Sequence, residues 1–193
     1  MANQAPVAWV TGGTGGIGTA ICRSLADAGY LVVAGYHNPD KAKIWLETQQ
    51  ADGYNNIALS GVDLSDHNAC LEGAREIHEK HGPISVLVNC AGITRDGTMK
   101  KMSYEQWYQV IDTNLNSVFN TCRSVIEGML ENGYGRIINI SSIAGLRSHN
   151  ETPYTVTKGA IIALTFSMAS DHAQDNIRVN CIAPGLVYTP MVA

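Results

Sequence analysis

Tyr154 and Lys158 stand four residues apart. On a helix that spacing projects both side chains from one face, so an ammonium comes to lie near a phenol. A free tyrosine, with a pKa of about 10, exchanges protons poorly near neutrality, and a nearby positive charge lowers that value. The pair is therefore suited to hand a proton to a carbonyl oxygen. Near the start of the chain, TGGTGGIG at positions 11–18 reads both as Gly13-x-Gly15-x-x-Gly18 and as Thr11-Gly12-x-x-x-Gly16-x-Gly18. Either reading puts bare backbone between a strand and a helix N-terminus, where free N–H groups and the helix dipole hold a pyrophosphate. Alone, Y-x-x-x-K is an ordinary helix pair and a glycine run is a tight turn. Together they are the equipment of a nicotinamide-dependent carbonyl reductase.

Elements of alternating type must position these groups. Apolar, β-branched runs at 7–10, 30–34, 57–60, 84–88, 136–141 and 177–182 read as six strands buried on both faces, because such strands lose the in/out alternation. Between them, 16–28, 39–52, 66–80, 103–131 and 152–173 carry apolar residues at three- and four-residue spacing, the mark of helices. The order implies an α/β fold, a doubly wound parallel sheet of the Rossmann type. Asn38-Pro39 and Ser103-x-x-Gln106 supply helix-start signals. The 103–131 stretch is long, and a break is expected near 112–114, where residues of modest helix propensity meet.

Composition narrows the function classes. The chain has 193 residues, 45% of them hydrophobic, which suffices for one packed domain spanning 1–193. A net charge of −4 without a basic block draws it to neither nucleic acid nor an anionic membrane. No apolar run is long enough for a spanning helix and no leader pattern opens the chain, so a cytoplasmic location is expected. Five dispersed cysteines suit free thiols. His78 and His81 lack further ligands, and no metal is expected.

The end of the second strand selects the dinucleotide. There, Ala34-Gly35-Tyr36-His37-Asn38 offers no carboxylate to bind an adenosine ribose, and Lys41 and Lys43 follow. NADP(H) is therefore favoured over NAD(H), although no arginine sits inside the glycine turn and the lysines also suit a solvated helix face.

These residues resemble the short-chain dehydrogenase/reductases. Thr11, Gly12, Gly16 and Gly18 match that family's T-G-x-x-x-G-x-G, and Asn89-Cys90-Ala91-Gly92 its N-N-A-G turn. Asn114 matches its active-site asparagine, Tyr154 and Lys158 its Y-x-x-x-K, and Pro184, Gly185 and Thr189 its P-G-x-x-x-T. The resemblance implies that Tyr154 protonates the substrate carbonyl while hydride arrives from the nicotinamide. Lys158 then binds the nicotinamide ribose and lowers the Tyr154 pKa, Asn114 anchors a relay water, and a serine at 141 or 142 orients the carbonyl. Spacing to the tyrosine selects Ser141, whereas strand register selects Ser142, the residue preferred here. The cofactor contacts implied are Thr11, Gly12, Gly16, Ile17, Gly18, Asn89, Ala91, Gly92, Lys158, Pro184, Gly185, Val187 and Thr189. Asp63 is implied as an adenine contact, with helix capping as its alternative.

Within the family, the first three quarters look most like acetoacetyl-CoA reductases and 3-oxoacyl-carrier-protein reductases. That implies NADPH-dependent reduction of a 3-oxoacyl thioester, acetoacetyl-CoA to 3-hydroxybutyryl-CoA. The loop 146–152, LRSHNET, departs from this likeness, and 153–193 looks more like dehydrogenases of assorted alcohols. Two alternatives stay open: a dehydrogenase of another alcohol or ketone, and a non-catalytic dinucleotide-binding fragment. Family members usually continue further, with a substrate-covering segment and a seventh strand, so both are expected to be missing and the 177–182 edge unpaired. The expected partners are a small carbonyl or acyl-thioester substrate and further copies of the chain, as a dimer or tetramer.

Overall fold

The computed structural model describes residues 5–147 and 149–189. Its strands are β1 (Val7–Thr11), β2 (Leu31–Gly35), β3 (Ile57–Ser60), β4 (Ile84–Asn89), β5 (Gly135–Ile140) and β6 (Ile177–Ile182). The α-helices are α1 (Gly16–Asp27), α2 (Pro39–Ala51), α3 (His67–His81), α4 (Tyr104–Ile111), α5 (Ser117–Glu131) and α6 (Thr152–Asp171). The strands form one parallel sheet in the order β3-β2-β1-β4-β5-β6. The chain winds outward from β1 to β3, crosses back, and winds out again from β4 to β6. The carboxyl ends of β1 and β4 thus flank the crevice where strand order reverses, the place such sheets use for ligands.

Packing explains why the strands show no alternation. Val7 and Trp9 face a core shared with α3, α5 and α6, while Ala8 and Val10 face Cys22 and Ala26 on α1. Both faces are covered, so every position of β1 is buried. Leu87, Ile137 and Val179 continue the first core across β4, β5 and β6. Val88 and Ile140 continue the second. Among the described residues β6 is an edge strand.

Local chemistry sets the helix starts. Asn38 accepts a hydrogen bond from the Lys41 N–H with Pro39 in the first turn, and Ser103 and Gln106 form a reciprocal capping box. Asp66, not Asp63, caps α3 by accepting from the Ala69 N–H at 2.9 Å. The break expected near 112–114 is instead a continuous but widened π-helical turn, Asp112–Asn116, joining α4 to α5. Polar side chains stabilise it where low propensity alone predicts rupture: the Ser117 hydroxyl donates to the Thr113 carbonyl oxygen at 2.6 Å, and Asn116 donates to the Asp112 carboxylate at 2.7 Å. No described helix is long and apolar enough to cross a membrane, and no described cluster of His, Cys, Asp or Glu is arranged to hold a metal ion.

Candidate active site

Thr11, at the end of β1, ties the two strand ends of the crevice together. Its hydroxyl oxygen accepts from the N–H groups of Cys90 and Ala91 at 3.1 and 3.2 Å. The chain then turns at Gly12, with φ at +62°, and a Cβ there would lie 2.8 Å from the Ala91 backbone. At Gly18 a Cβ would lie 2.1 Å from the Gly12 carbonyl oxygen. The loop therefore folds onto the first turn of α1 only with bare backbone. The N-cap is Gly15, so no side chain satisfies the first-turn N–H groups of Gly16, Ile17 and Gly18, and no acid opposes an anion there. These donors and the dipole of α1 fit a dinucleotide pyrophosphate.

Asn89 has its side chain committed elsewhere, which leaves only its backbone for the expected cofactor contact. Its side chain turns into the core, accepting from the Thr121 hydroxyl at 2.7 Å and donating to Asn139 at 2.9 Å. Cys90, Ala91 and Gly92 are left to border the crevice. At the adenosine end, the Tyr36 N–H donates to Ser60, and the Tyr36 ring lies over Gly61, where a Cβ would meet its hydroxyl at 2.5 Å. Asp63 is exposed and accepts from both the N–H and the hydroxyl of Ser65, at 3.0 and 2.7 Å. Those bonds hold its carboxyl below the usual range, with help from nearby His37. No carboxylate follows β2 until Asp40, inside α2.

Asn114 is buried in the π turn and clamps the backbone of Ile93. Its oxygen accepts from the Ile93 N–H at 2.8 Å, and its amide donates to the Ile93 carbonyl at 2.9 Å and to the Thr157 hydroxyl at 3.4 Å. Gly92 lies between Asn114 and Lys158, since a Cβ there would be 3.4 Å from the Asn114 oxygen and 3.5 Å from the Lys158 Nζ. Lys158 is 4% exposed, and its ammonium donates to the Ile140 carbonyl oxygen at 2.8 Å. Burial pulls its pKa down to about 8.

The two serines after β5 face opposite ways. The Ser141 hydroxyl is buried and donates to the Lys158 carbonyl oxygen at 2.6 Å, tying β5 to α6. The Ser142 side chain is hydrogen-bonded to the Tyr154 hydroxyl and also accepts from the Ala144 N–H at 3.1 Å. The phenol titrates above its ordinary value: burial raises it, the Ser142 bond partly offsets this, and Glu151 and Cys90 add to the rise. The lowering by Lys158 expected from sequence is absent. The ammonium lies over the ring, 5.5 Å from its centroid, with Ile140 as its hydrogen-bond partner rather than the phenolic oxygen.

Pro184 accepts from the Ile143 N–H at 3.1 Å, which sets the segment 184–189 beside the turn that follows Ser142. Gly185 stands close to Ile143, and Val187 and Thr189 border an apolar cavity of about 660 Å³ against α1 and the sheet. Ile17 and Ile21 on α1, with Val88 and Ile140 on the sheet, line the same cavity, whereas Tyr154 and Ser142 do not. The cavity borders the cradle. At the other rim, Gly97 donates to Asn150 at 2.7 Å and pairs with Glu151, so loops 93–103 and 146–151 meet before α6. Ser148, within the substrate-loop reading, lies outside the described residues, as do 190–193.

Sequence reasoning passed over Thr157, Asn139 and Thr165. An asparagine inside an apolar strand, and hydroxyls on the Lys158 side of α6, were the available signals. With strand order 3-2-1-4-5-6, the glycine cradle, and Ser142, Tyr154 and Lys158 gathered at one crevice, the match of residues 6–193 to the short chain dehydrogenase pattern is decisive. The chain belongs to the short-chain dehydrogenase family. It is 47% identical to the acetoacetyl-CoA reductase of Allochromatium vinosum over 97% of its own length and 77% of that protein. It is 38% identical to the 3-oxoacyl-[acyl-carrier-protein] reductase of Chlamydia muridarum, covering 99% of this chain and 77% of the other. A gluconate 5-dehydrogenase from Burkholderia cenocepacia, solved with NADP and tartrate, superposes with a TM-score of 0.91 at 32% identity, over 97% of this chain and 74% of that one. As a short-chain dehydrogenase, the protein is an oxidoreductase of carbonyl or CH–OH groups, takes a nicotinamide dinucleotide and acts on a small molecule.

Proposed function

We propose that this short-chain dehydrogenase is an NADPH-dependent reductase of 3-oxoacyl thioesters, converting acetoacetyl-CoA to 3-hydroxybutyryl-CoA. The observation that carries the chemistry is the placement of Ser142 against a half-buried Tyr154 beside Lys158. Relatives at 42–47% identity that bear the name acetoacetyl-CoA reductase support the substrate. The absence of a carboxylate after β2, with Lys41 and Lys43 in the first turns of α2, supports NADPH.

In this reading the bound cofactor supplies the hydride. Tyr154 is a phenol at neutral pH and releases its proton to the carbonyl oxygen as negative charge develops there. Ser142 orients that oxygen and stabilises the developing charge. Lys158, held against Ile140, presents its ammonium to the nicotinamide ribose. Asn114 fixes the Ile93 backbone at the crevice and anchors a water of the proton relay. Thr11, Gly12, Gly16, Ile17, Gly18, Ala91 and Gly92 bind the phosphates and adjoining ribose, Asp63 the adenine, and Pro184, Gly185, Val187 and Thr189 the carboxamide side.

Oxidation of NADPH by the purified chain with acetoacetyl-CoA, beside NADH and gluconate-type and simple ketones, tests the reading, with cofactor binding followed in the same sample. Turnover requiring both NADPH and the thioester supports it. A second reading, oxidoreduction of another alcohol or ketone, draws on the structural likeness to the gluconate 5-dehydrogenase and gains if only those substrates turn over. Cofactor binding without any turnover overturns both.

A further inference from the structure

Asn139 is fully buried on β5, on the face that packs against α5 and α6, beside apolar Ile137. A buried amide is costly unless its hydrogen bonds are made. Here both ends are used: its oxygen accepts from the Asn89 amide at 2.9 Å, and its amide donates to the Thr165 hydroxyl at 2.9 Å. The Thr165 hydroxyl proton is committed to the Ile161 carbonyl at 2.8 Å, so toward Asn139 the hydroxyl is an acceptor. At the other end, the Asn89 oxygen takes the Thr121 hydroxyl proton, and its amide also reaches the Cys122 sulfur at 3.3 Å. A directed chain of bonds therefore crosses the core from α5 through β4 and β5 to α6.

Its ends matter. Asn89 immediately precedes Cys90 and Ala91, which hang from Thr11 beside the glycine cradle. Thr165 stands seven residues, two helical turns, beyond Lys158 and on the same face of α6. That helix carries apolar residues on every side, including Ile162, Ala163, Leu164, Phe166 and Met168. Apolar burial is non-directional and leaves sliding or rotation of such a helix weakly opposed. Polar bonds of fixed geometry specify one arrangement. The Ser141 and Lys158 bonds to α6 lie at the catalytic end, and Asn139–Thr165 is the bond at the far end.

We infer that Asn139 and Thr165 are positioning residues whose hydrogen bond locks α6 in register against β5, and so sets Lys158 and Tyr154 relative to the cofactor cradle. The inference rests on the proposed roles of those two residues, but part of its test does not require turnover. Thr165→Val keeps the volume and removes the acceptor, and Thr165→Ser keeps the acceptor. With lysine Cε labelled by 13C and the Lys158 signal assigned by Lys158→Met, NMR follows the Lys158 titration, which lies at about 8 where Nζ is seated on Ile140. Around it stand Cys90, Cys181 and Tyr154, all unchanged in these variants.

In Thr165→Val the titration should move up by about half a pH unit or more, as water reaches an unseated ammonium. The kcat should fall between about tenfold and a hundredfold, the scale of a misplacement of about 1 Å. Thr165→Ser should behave as the natural protein. An unmoved Lys158 titration in Thr165→Val, or an equal change in Thr165→Ser, overturns the inference. If Thr165→Val does not fold, Thr165→Ala is read by the same titration and the same criterion. If the unmodified chain reduces no thioester, the proposed function fails, and the titration alone still decides the role of Thr165.

Discussion

The Lys158 ammonium donates to the Ile140 carbonyl oxygen at 2.8 Å, inside a site where only 4% of the residue reaches solvent. A single neutral acceptor compensates little of the solvation lost by a buried cation, which is why the pKa falls to about 8. The same burial raises the Tyr154 phenol, so both members of the couple are pushed toward their neutral forms.

The Lys158 shift makes stability depend on pH. Below pH 8 the lysine is charged in both folded and unfolded chains, and folding bears the cost of burying it. Between about 8 and the unfolded value of 10.5, the unfolded chain binds the proton and the folded chain does not. The contribution of Lys158 to stability therefore rises with pH across that window. Thermal melts at pH 7, 8, 9 and 10 should show the natural protein gaining on Lys158→Met as pH increases. A constant difference between the two would contradict the buried, depressed lysine.

Tyr154→Phe keeps the ring and removes the proton donor. Turnover should fall by about 100- to 10,000-fold, the usual worth of a general acid, with NADPH affinity within about twofold. Stopped-flow reduction measured beside equilibrium cofactor titration checks this, and normal turnover would remove the acid–base assignment.

Ser141 and Ser142 are neighbours with separable effects. Ser142→Ala withdraws the bond that partly offsets the raised phenol and should lower kcat by about 100-fold or more, leaving the melting temperature nearly unchanged. Ser141→Ala loses the bond to the Lys158 carbonyl and should cost about 1 kcal/mol of stability, with a smaller change in kcat. Interchanged results would make Ser141 the residue that orients the carbonyl.

The glycine cradle predicts two different defects. Gly16 is exposed in the first turn of α1, so Gly16→Val should leave the fold intact and weaken dinucleotide binding by obstructing the free N–H groups. Gly18→Ala forces a Cβ toward the Gly12 carbonyl oxygen, at 2.1 Å in the unrelaxed geometry, and should lower the melting temperature as well. Calorimetric cofactor titration and thermal melts on both variants distinguish these outcomes. Unchanged cofactor affinity in Gly16→Val would contradict the cradle.

Much of the fold was legible because it is written locally. Doubly buried strands appear as apolar runs, helix starts carry Asn38-Pro39 and the Ser103–Gln106 box, and covalent spacing brings Tyr154 and Lys158 to one helix face. The glycine turn is equally local, since the absence of Cβ atoms is a property of the residues themselves. Long-range contacts decided the rest. Low propensity at 112–114 suggested a break, but Asn114 clamps Ile93, 21 residues away, from within an unbroken widened turn. Asp63 had capping as its alternative, and the chain used Asp66 instead. Asn89 pairs with Asn139 across 50 residues, and Lys158 with the Ile140 carbonyl, which no side-chain motif reports. The sequence by itself determined which elements form and which chemical groups are carried. Which groups meet, and with what protonation, was decided by tertiary structure, because burial and hydrogen-bond partners exist only once distant strands and helices have closed around them.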